Sequence, residues 1–258
     1  MTSKALNEPA LKEIKATHRP VMSDQGLDPT HPVAARDEYG DQRDLRIAGE
    51  FPLTIKVDHR EVVTLMTLGT YPEKLTLGYL RNQRLVDNIE EIAEIRVDWE
   101  RETVDVLTSH GEGIINLQEK IASRIVTSGC GQGTIFSCTL DKLYDTRLPR
   151  VEIRQSTVYA LLKSINSYNE IYRAAGAVHG CALCDGPEIL YFVEDVGRHN
   201  AADTIAGYIQ GLLDGIEFKQ TAYAVDRDSR RAALARFLQQ ASAPDAAEAA
   251  NEQQRAAA

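Results

Sequence analysis

At 258 residues, with 43% hydrophobic and 26% charged side chains, the chain has the make-up of one large soluble domain or two small ones. Its formal net charge of −9 excludes broad, nonspecific nucleic-acid binding, which depends on clustered Lys and Arg, though it leaves room for a local basic pocket. No apolar run approaches the roughly 20 residues that span a bilayer, so neither nucleic acid nor membrane is an expected partner.

The first stretch, Met1 to about Arg43, mixes Asp, Glu, Lys, Pro and Gly without a sustained apolar period, which predicts a disordered or loosely docked arm over 1–44. Met1–Pro20 has no apolar core ahead of a small-residue cleavage site, so no secretory signal is expected and the expected compartment is the cytoplasm. Order is expected from Leu45. Phe51, Leu53, Ile55 and Val57 alternate with Pro52, Thr54, Lys56 and Asp58, the period of a half-buried strand, and Asp58-His59 turns the chain into a second strand, Val62–Met66.

A helix follows, with Thr70 as the expected cap, Pro72 and Glu73 in its first turn, and Leu75, Tyr79 and Leu80 on its apolar face. Ile92, Ile95 and Val97, then Val104, Val106 and Leu107, predict two more strands. Ser128–Gly133 is a loop. Ser156 is the expected cap of a helix bearing Val158, Leu161, Leu162 and Ile165. The run Ile189–Val193, bounded by Gly186-Pro187 and Gly197, fits a central, doubly covered strand, and a helix from about Asn200 to Leu213 completes the pattern. Interleaved strands and helices predict an α/β or α+β fold with a mixed sheet and flanking helices, over a domain of 45–215. The Ala- and charge-rich stretch 216–258 is expected to be a solvated, partly disordered tail.

Three places carry chemistry. Cys130 stands in Ser128-Gly129-Cys130-Gly131-Gln132-Gly133, where flanking glycines permit positive φ and leave a thiol uncrowded for another thiol or persulfide. An incidental cysteine in an exposed turn is the plainer alternative. Cys181-Ala182-Leu183-Cys184, preceded by His179, could be half a zinc site, a redox dithiol or simple packing. Four zinc ligands could be drawn from Cys130, Cys138, Cys181 and Cys184, or with His179 replacing one thiolate. Cys130 and Cys138 lie too far apart for a zinc knuckle, however, and no tightly bound metal is expected. Third, Glu194-Asp195-Val196-Gly197-Arg198-His199-Asn200 joins the most apolar strand to a helix. There helix-terminal N–H groups and the Arg198 fork can meet a phosphate. The plainer alternative makes Asn200 an N-cap and Asp195 and Arg198 an ion pair.

Glu194–Asn200, with Ala201-Ala202-Asp203 behind it, resembles the E-D-V-G-R-H-N-A-x-D signature of the FdhD family, which includes NarQ. Glu50–Val57 resembles the family's opening strand, and Leu77-Gly78-Tyr79-Leu80 its L-G-F-L helix. Ala175-Gly176-Ala177-Val178-His179 is similar to its T-G-G-x-H segment, with Thr and one Gly replaced by Ala. The resemblance runs from about Leu45 to Gly215.

It implies a cytidine deaminase-like core behind a β-rich N-terminal portion, in a homodimer. The implied activity is a sulfurtransferase that takes persulfide sulfur from a cysteine desulfurase. Its acceptor would be the molybdenum or tungsten bis-guanine-dinucleotide cofactor, a transient ligand, on behalf of formate dehydrogenase. Cys130-Gly131 matches the first half of the family's C-G-x-C-G loop, making Cys130 the implied catalytic residue. His179, Asp195, Gly197, Arg198, His199 and Asn200 are the implied cofactor-binding residues.

Gly133 replaces the family's second loop cysteine. The family's later G-R-x-x-x-E, S-R-S and F-x-R-G-x-R-F segments have no counterpart after Gly215. Three roles follow, in order of preference: a working sulfurtransferase, a cofactor- or partner-binding module that has lost catalysis, and a deaminase-like zinc enzyme. The last lacks H-x-E and P-C-x-x-C.

Overall fold

The computed structural model describes residues 20–86, 88–111, 114, 124–127, 133–136 and 152–213. In chain order the first half comprises β1 (Val21–Met22), β2 (Thr30–Arg36), β3 (Gln42–Ala48), β4 (Phe51–Val57), β5 (Arg60–Thr67), α1 (Pro72–Asn82), β6 (Ile92–Asp98) and β7 (Thr103–Thr108). The second comprises β8 (Arg124–Thr127), β9 (Gly133–Phe136), α2 (Gln155–Tyr168), α3 (Glu170–Ala175), β10 (His179–Asp185), β11 (Glu188–Asp195) and α4 (Arg198–Leu213).

A mixed sheet of order β1–β6–β7–β4–β5 forms the centre, with β1–β6 and β7–β4 parallel and the other pairs antiparallel. The expected alternation in β4 holds: Leu53, Ile55 and Val57 are fully buried, while Thr54 and Lys56 are only partly so. They join Ile95, Val104 and Val106 in a core that α1 closes with Leu75 and Leu80. Residues 72–80 are buried without a break, because α1 packs against both the sheet core and α4. The β10–β11 hairpin lies in turn on α4, where Tyr191 and Val193 meet Ala201, Ile205 and Tyr208. The fold is therefore a mixed sheet with flanking helices, as expected.

Five local expectations give way. Residues 20–44 are not a loose arm. Val21 and Met22 pair with Glu94 and Ile95, and β2 and β3 form a seven-pair hairpin. Most of that hairpin's side chains are exposed, so the stretch lacks the apolar period that betrays a strand, and backbone pairing with polar anchoring holds it instead. Ser23 Oγ and Gln25 N both donate to Glu73 Oε1, at 2.9 and 3.0 Å. Thr70 does not cap α1. Pro72 forces the residue before it out of helical space, so Tyr71 takes the cap position without a side-chain bond. Ser156 lies inside α2, which begins at Gln155. On that helix Leu161 and Ile165 are half-buried, but Val158 and Leu162 are exposed. Among the described residues β11 pairs only with β10, so it is not a central strand. It is nevertheless covered twice, by α4 on one face and on the other by α2, where Tyr168 meets Phe192. Finally, α4 begins at Arg198, which places Asn200 within its first turn.

Residues 1–19, the loop bearing Cys130, Cys138 and the tail from 214 lie outside the described residues. Among the described residues no helix is long and apolar enough to cross a membrane.

Candidate functional site

The two motifs at 175–179 and 194–200 meet at one end of the β10–β11 hairpin. Antiparallel register sets His179 opposite Asp195 and Gly180 opposite Glu194. Gly180 is closely approached, since a Cβ there would lie 2.6 Å from the Phe192 ring and 2.9 Å from Asn169 Oδ1, and both side chains would have to shift.

The first two acidic residues of the signature, Glu194 and Asp195, are buried and built into the scaffold. Glu194 accepts from the amides of Ile171 and Tyr172 at 2.9 and 2.8 Å, one with each carboxylate oxygen. It thus satisfies donors that α3 leaves unpaired in its first turn and fixes that helix to the hairpin. Asp195 receives four donors. Thr67 Oγ1 and the Leu68 amide reach Oδ2 at 2.6 and 3.2 Å, and the Gly197 amide and Asn200 Nδ2 reach Oδ1 at 2.9 and 3.0 Å. Burial pushes the Asp195 carboxyl above the usual range, while each of these bonds favours the ionised form, which can only accept. The expected Asp195–Arg198 ion pair is not formed, because both carboxylate oxygens are already engaged.

Asn200 is buried and acts as a bridge rather than a cap. Its Nδ2 also donates to Met66 O at 2.6 Å. Gly197 lies against it: a Cβ at 197 would stand 2.9 Å from Asn200 Nδ2. The loop therefore leaves Arg198 and His199 exposed in the first turn of α4, and His179, opposite Asp195 in the hairpin, is exposed as well. Arg198 and His199 stand at the start of a 16-residue helix, the end whose unpaired amides and dipole favour an anion. The expected site residues thus divide, with Asp195 and Asn200 buried as supports and His179, Arg198 and His199 open to solvent.

Cys181 and Cys184 are half-buried free thiols on β10, and Cys181 packs beside the Tyr191 cluster. Burial pushes both thiols up, away from the reactive thiolate. Among the described residues no group of three or more His, Cys, Asp or Glu is placed to hold a metal ion. Cys130 lies in the connection between β8 and β9, whose register closes at Thr127 and Gly133.

Further polar groups lie on the helices packed against the hairpin. Lys74 Nζ donates to Tyr191 Oη at 3.0 Å and sits 4.3 Å above the Tyr71 ring. Tyr208 stacks on Tyr191 with centroids 3.7 Å apart. Burial lowers the Lys74 pKa to about 7, against the opposing pull of Glu73 and Asp24. Asp203, the last residue of the signature, accepts from Asn82 at 2.6 Å, and burial raises its pKa to about 6. Only the position of Asp203 in the signature marked it beforehand, and Thr67 carried no signal at all.

Comparison with known proteins gives a consistent picture. The model of the FdhD/NarQ family matches residues 48–226. A sulfur carrier protein FdhD from Bacillus subtilis is 31% identical over 175 residues, covering 67% of this chain and 65% of its own. One from Listeria monocytogenes is 27% identical over 205 residues, covering 75% and 74%. The chain therefore spans just under two thirds of the length of the Bacillus relative. Among solved structures, a crystal structure of a Desulfotalea psychrophila protein provisionally identified as a formate dehydrogenase accessory protein superposes with a TM-score of 0.50. It is 20% identical and covers 73% of this chain and 69% of its own, a likeness of fold.

Proposed function

This chain belongs to the FdhD/NarQ family, and from that premise we propose that it is a sulfur carrier serving formate dehydrogenase maturation. Cys130 takes the sulfur from a cysteine desulfurase. The Cys130 thiolate attacks the outer sulfur of the donor's persulfide, the S–S bond breaks, and the donor leaves as a thiolate. The new persulfide then presents its outer sulfur to the metal of the molybdenum or tungsten bis-guanine-dinucleotide cofactor, which is substrate here and not a resident group. Relatives named sulfur carrier proteins support this reading, as do the raised thiols of Cys181 and Cys184, which make them poor alternatives to Cys130.

The observation that carries the cofactor half is the division within the signature loop. Glu194, Asp195 and Asn200 are consumed in fixing the backbone, and Arg198 and His199 are left exposed at a helix start. That corner suits the diphosphate of a guanine dinucleotide, with Arg198 supplying a forked charge and the α4 amides supplying donors. His179, across the hairpin from Asp195, extends the same corner. A second copy of the chain completes the assembly as a homodimer in the cytoplasm. Incubation of the purified protein with a cysteine desulfurase and cysteine, followed by mass spectrometry, tests the carrier role. Sulfur added to Cys130 supports it, and an unmodified chain refutes it.

A further inference from the structure

The signature loop is held from outside its own hairpin. Thr67, the last residue of β5, lies 128 positions upstream of Asp195 and is buried with it. Its Oγ1 accepts from the Gly69 amide at 3.3 Å and donates to Asp195 Oδ2 at 2.6 Å. The Leu68 amide reaches the same oxygen, and Asn200 returns a bond to Met66 O. The turn after β5 and the turn after β11 are therefore stapled through one carboxylate. One oxygen faces the sheet, and the other holds Gly197 N and Asn200 Nδ2.

We infer that Thr67 is a positioning residue for the ligand corner. Its hydroxyl orients the Asp195 carboxylate, and the carboxylate in turn sets the path of the backbone that carries Arg198 and His199. A carboxylate turns about its Cβ–Cγ bond with little resistance, so a donor on each oxygen is what holds its plane. Of the two donors on Oδ2, the hydroxyl bond is the shorter, with the length of a charge-assisted O–H···O contact. Without it the Leu68 amide alone holds that side, and the Gly197 and Asn200 bonds lose their fixed counterpart.

This inference rests on the proposal that the corner binds the guanine-nucleotide end of a cofactor, and its test separates the two. The full chain is compared with Thr67→Val, which keeps the shape but removes the hydroxyl, and with Thr67→Ser, which restores it. Amide exchange of residues 196–200 is read alongside guanosine diphosphate binding by calorimetry. Thr67→Val is expected to speed exchange at 196–200 by about tenfold and to weaken binding by a similar factor, the scale of one lost hydrogen bond to a charged group. Thr67→Ser is expected to return both to the wild-type range. Exchange in β6 and β7 serves as the control for general loosening. If Thr67→Val does not fold, Thr67→Cys, a weaker donor of similar size, takes its place and should give a smaller shift in the same direction. Unchanged exchange at 196–200, or an equal rise across β6 and β7, overturns the positioning role. If the wild-type chain binds no guanosine diphosphate while exchange responds as described, the nucleotide assignment falls and the role of Thr67 stands.

Discussion

The backbones of α1 and α4 touch at Gly78 and Gly207. A Cβ added at Gly78 would lie 1.7 Å from Asp203 O and 2.7 Å from Gly207 N, and one added at Gly207 would lie 1.9 Å from Lys74 O. The glycine of the Leu77-Gly78-Tyr79-Leu80 motif is thus a helix-crossing residue, and the crossing brings α4 close enough for Asn82 to bond Asp203. Neither obstacle is a flexible side chain that could turn away; both are main chain.

Gly78→Ala should accordingly destabilise the protein by about 3 kcal/mol, the upper end of the usual cost of overpacking. Urea unfolding followed by circular dichroism measures this. A midpoint equal to wild type would mean that the helices can separate without penalty.

Asp195→Asn should cost about 2–3 kcal/mol of stability. The amide nitrogen must face either the Thr67–Leu68 pair or the Gly197–Asn200 pair, and at least one donor there then loses its acceptor. The same urea titration decides this, and a neutral result would show that the network rearranges around an amide.

Lys74 predicts a pH dependence. Its pKa is about 7 in the folded protein against an ordinary value of 10.5, so between these limits the unfolded chain binds the extra proton. Stability should therefore rise with pH across that window, by up to about 1.4 kcal/mol per unit, and level off below pH 7. Lys74→Met should remove this rise. If the wild-type and Lys74→Met curves run parallel from neutral to alkaline pH, the lysine keeps its proton inside the tyrosine cage.

For the sulfur chemistry, Cys130→Ala should leave no labile sulfur after incubation with a cysteine desulfurase and cysteine. Cys181→Ala and Cys184→Ala should load as wild type. Cyanolysis with peptide mapping follows the label, and its appearance on Cys181 or Cys184 would transfer the carrier role to β10.

At the ligand corner, Arg198→Ala should weaken guanosine diphosphate binding by about 1.5–3 kcal/mol, the worth of a hydrogen bond to a charged group. Deletion of residues 229–258 should change binding little, since that stretch has the composition of a solvated appendage. Calorimetry on the three proteins distinguishes the sites. A large loss from the deletion with none from Arg198→Ala would put the nucleotide elsewhere.

Much of the architecture is legible in the chain itself. Alternation in Phe51–Val57 marked β4, the spaced apolar residues of 92–97 and 104–107 marked β6 and β7, and the run 189–193 marked β11. Each signal arises because one element must bury a face, and periodicity records that need locally. The signature at 194–203 likewise identified the family and located the loop. Only the tertiary structure decided what the polar residues of that signature do. Asp195 and Asn200 are supports because β5 ends beside β11, and Glu194 holds α3 because that helix starts across the hairpin. The hairpin of β2 and β3 escaped notice for a related reason, since it is held by backbone pairing with little burial. A polar side chain bears no mark of its partner when that partner is 128 residues away, because topology alone brings them together. Burial leaves a pattern in sequence, whereas a long-range hydrogen bond leaves only a residue type.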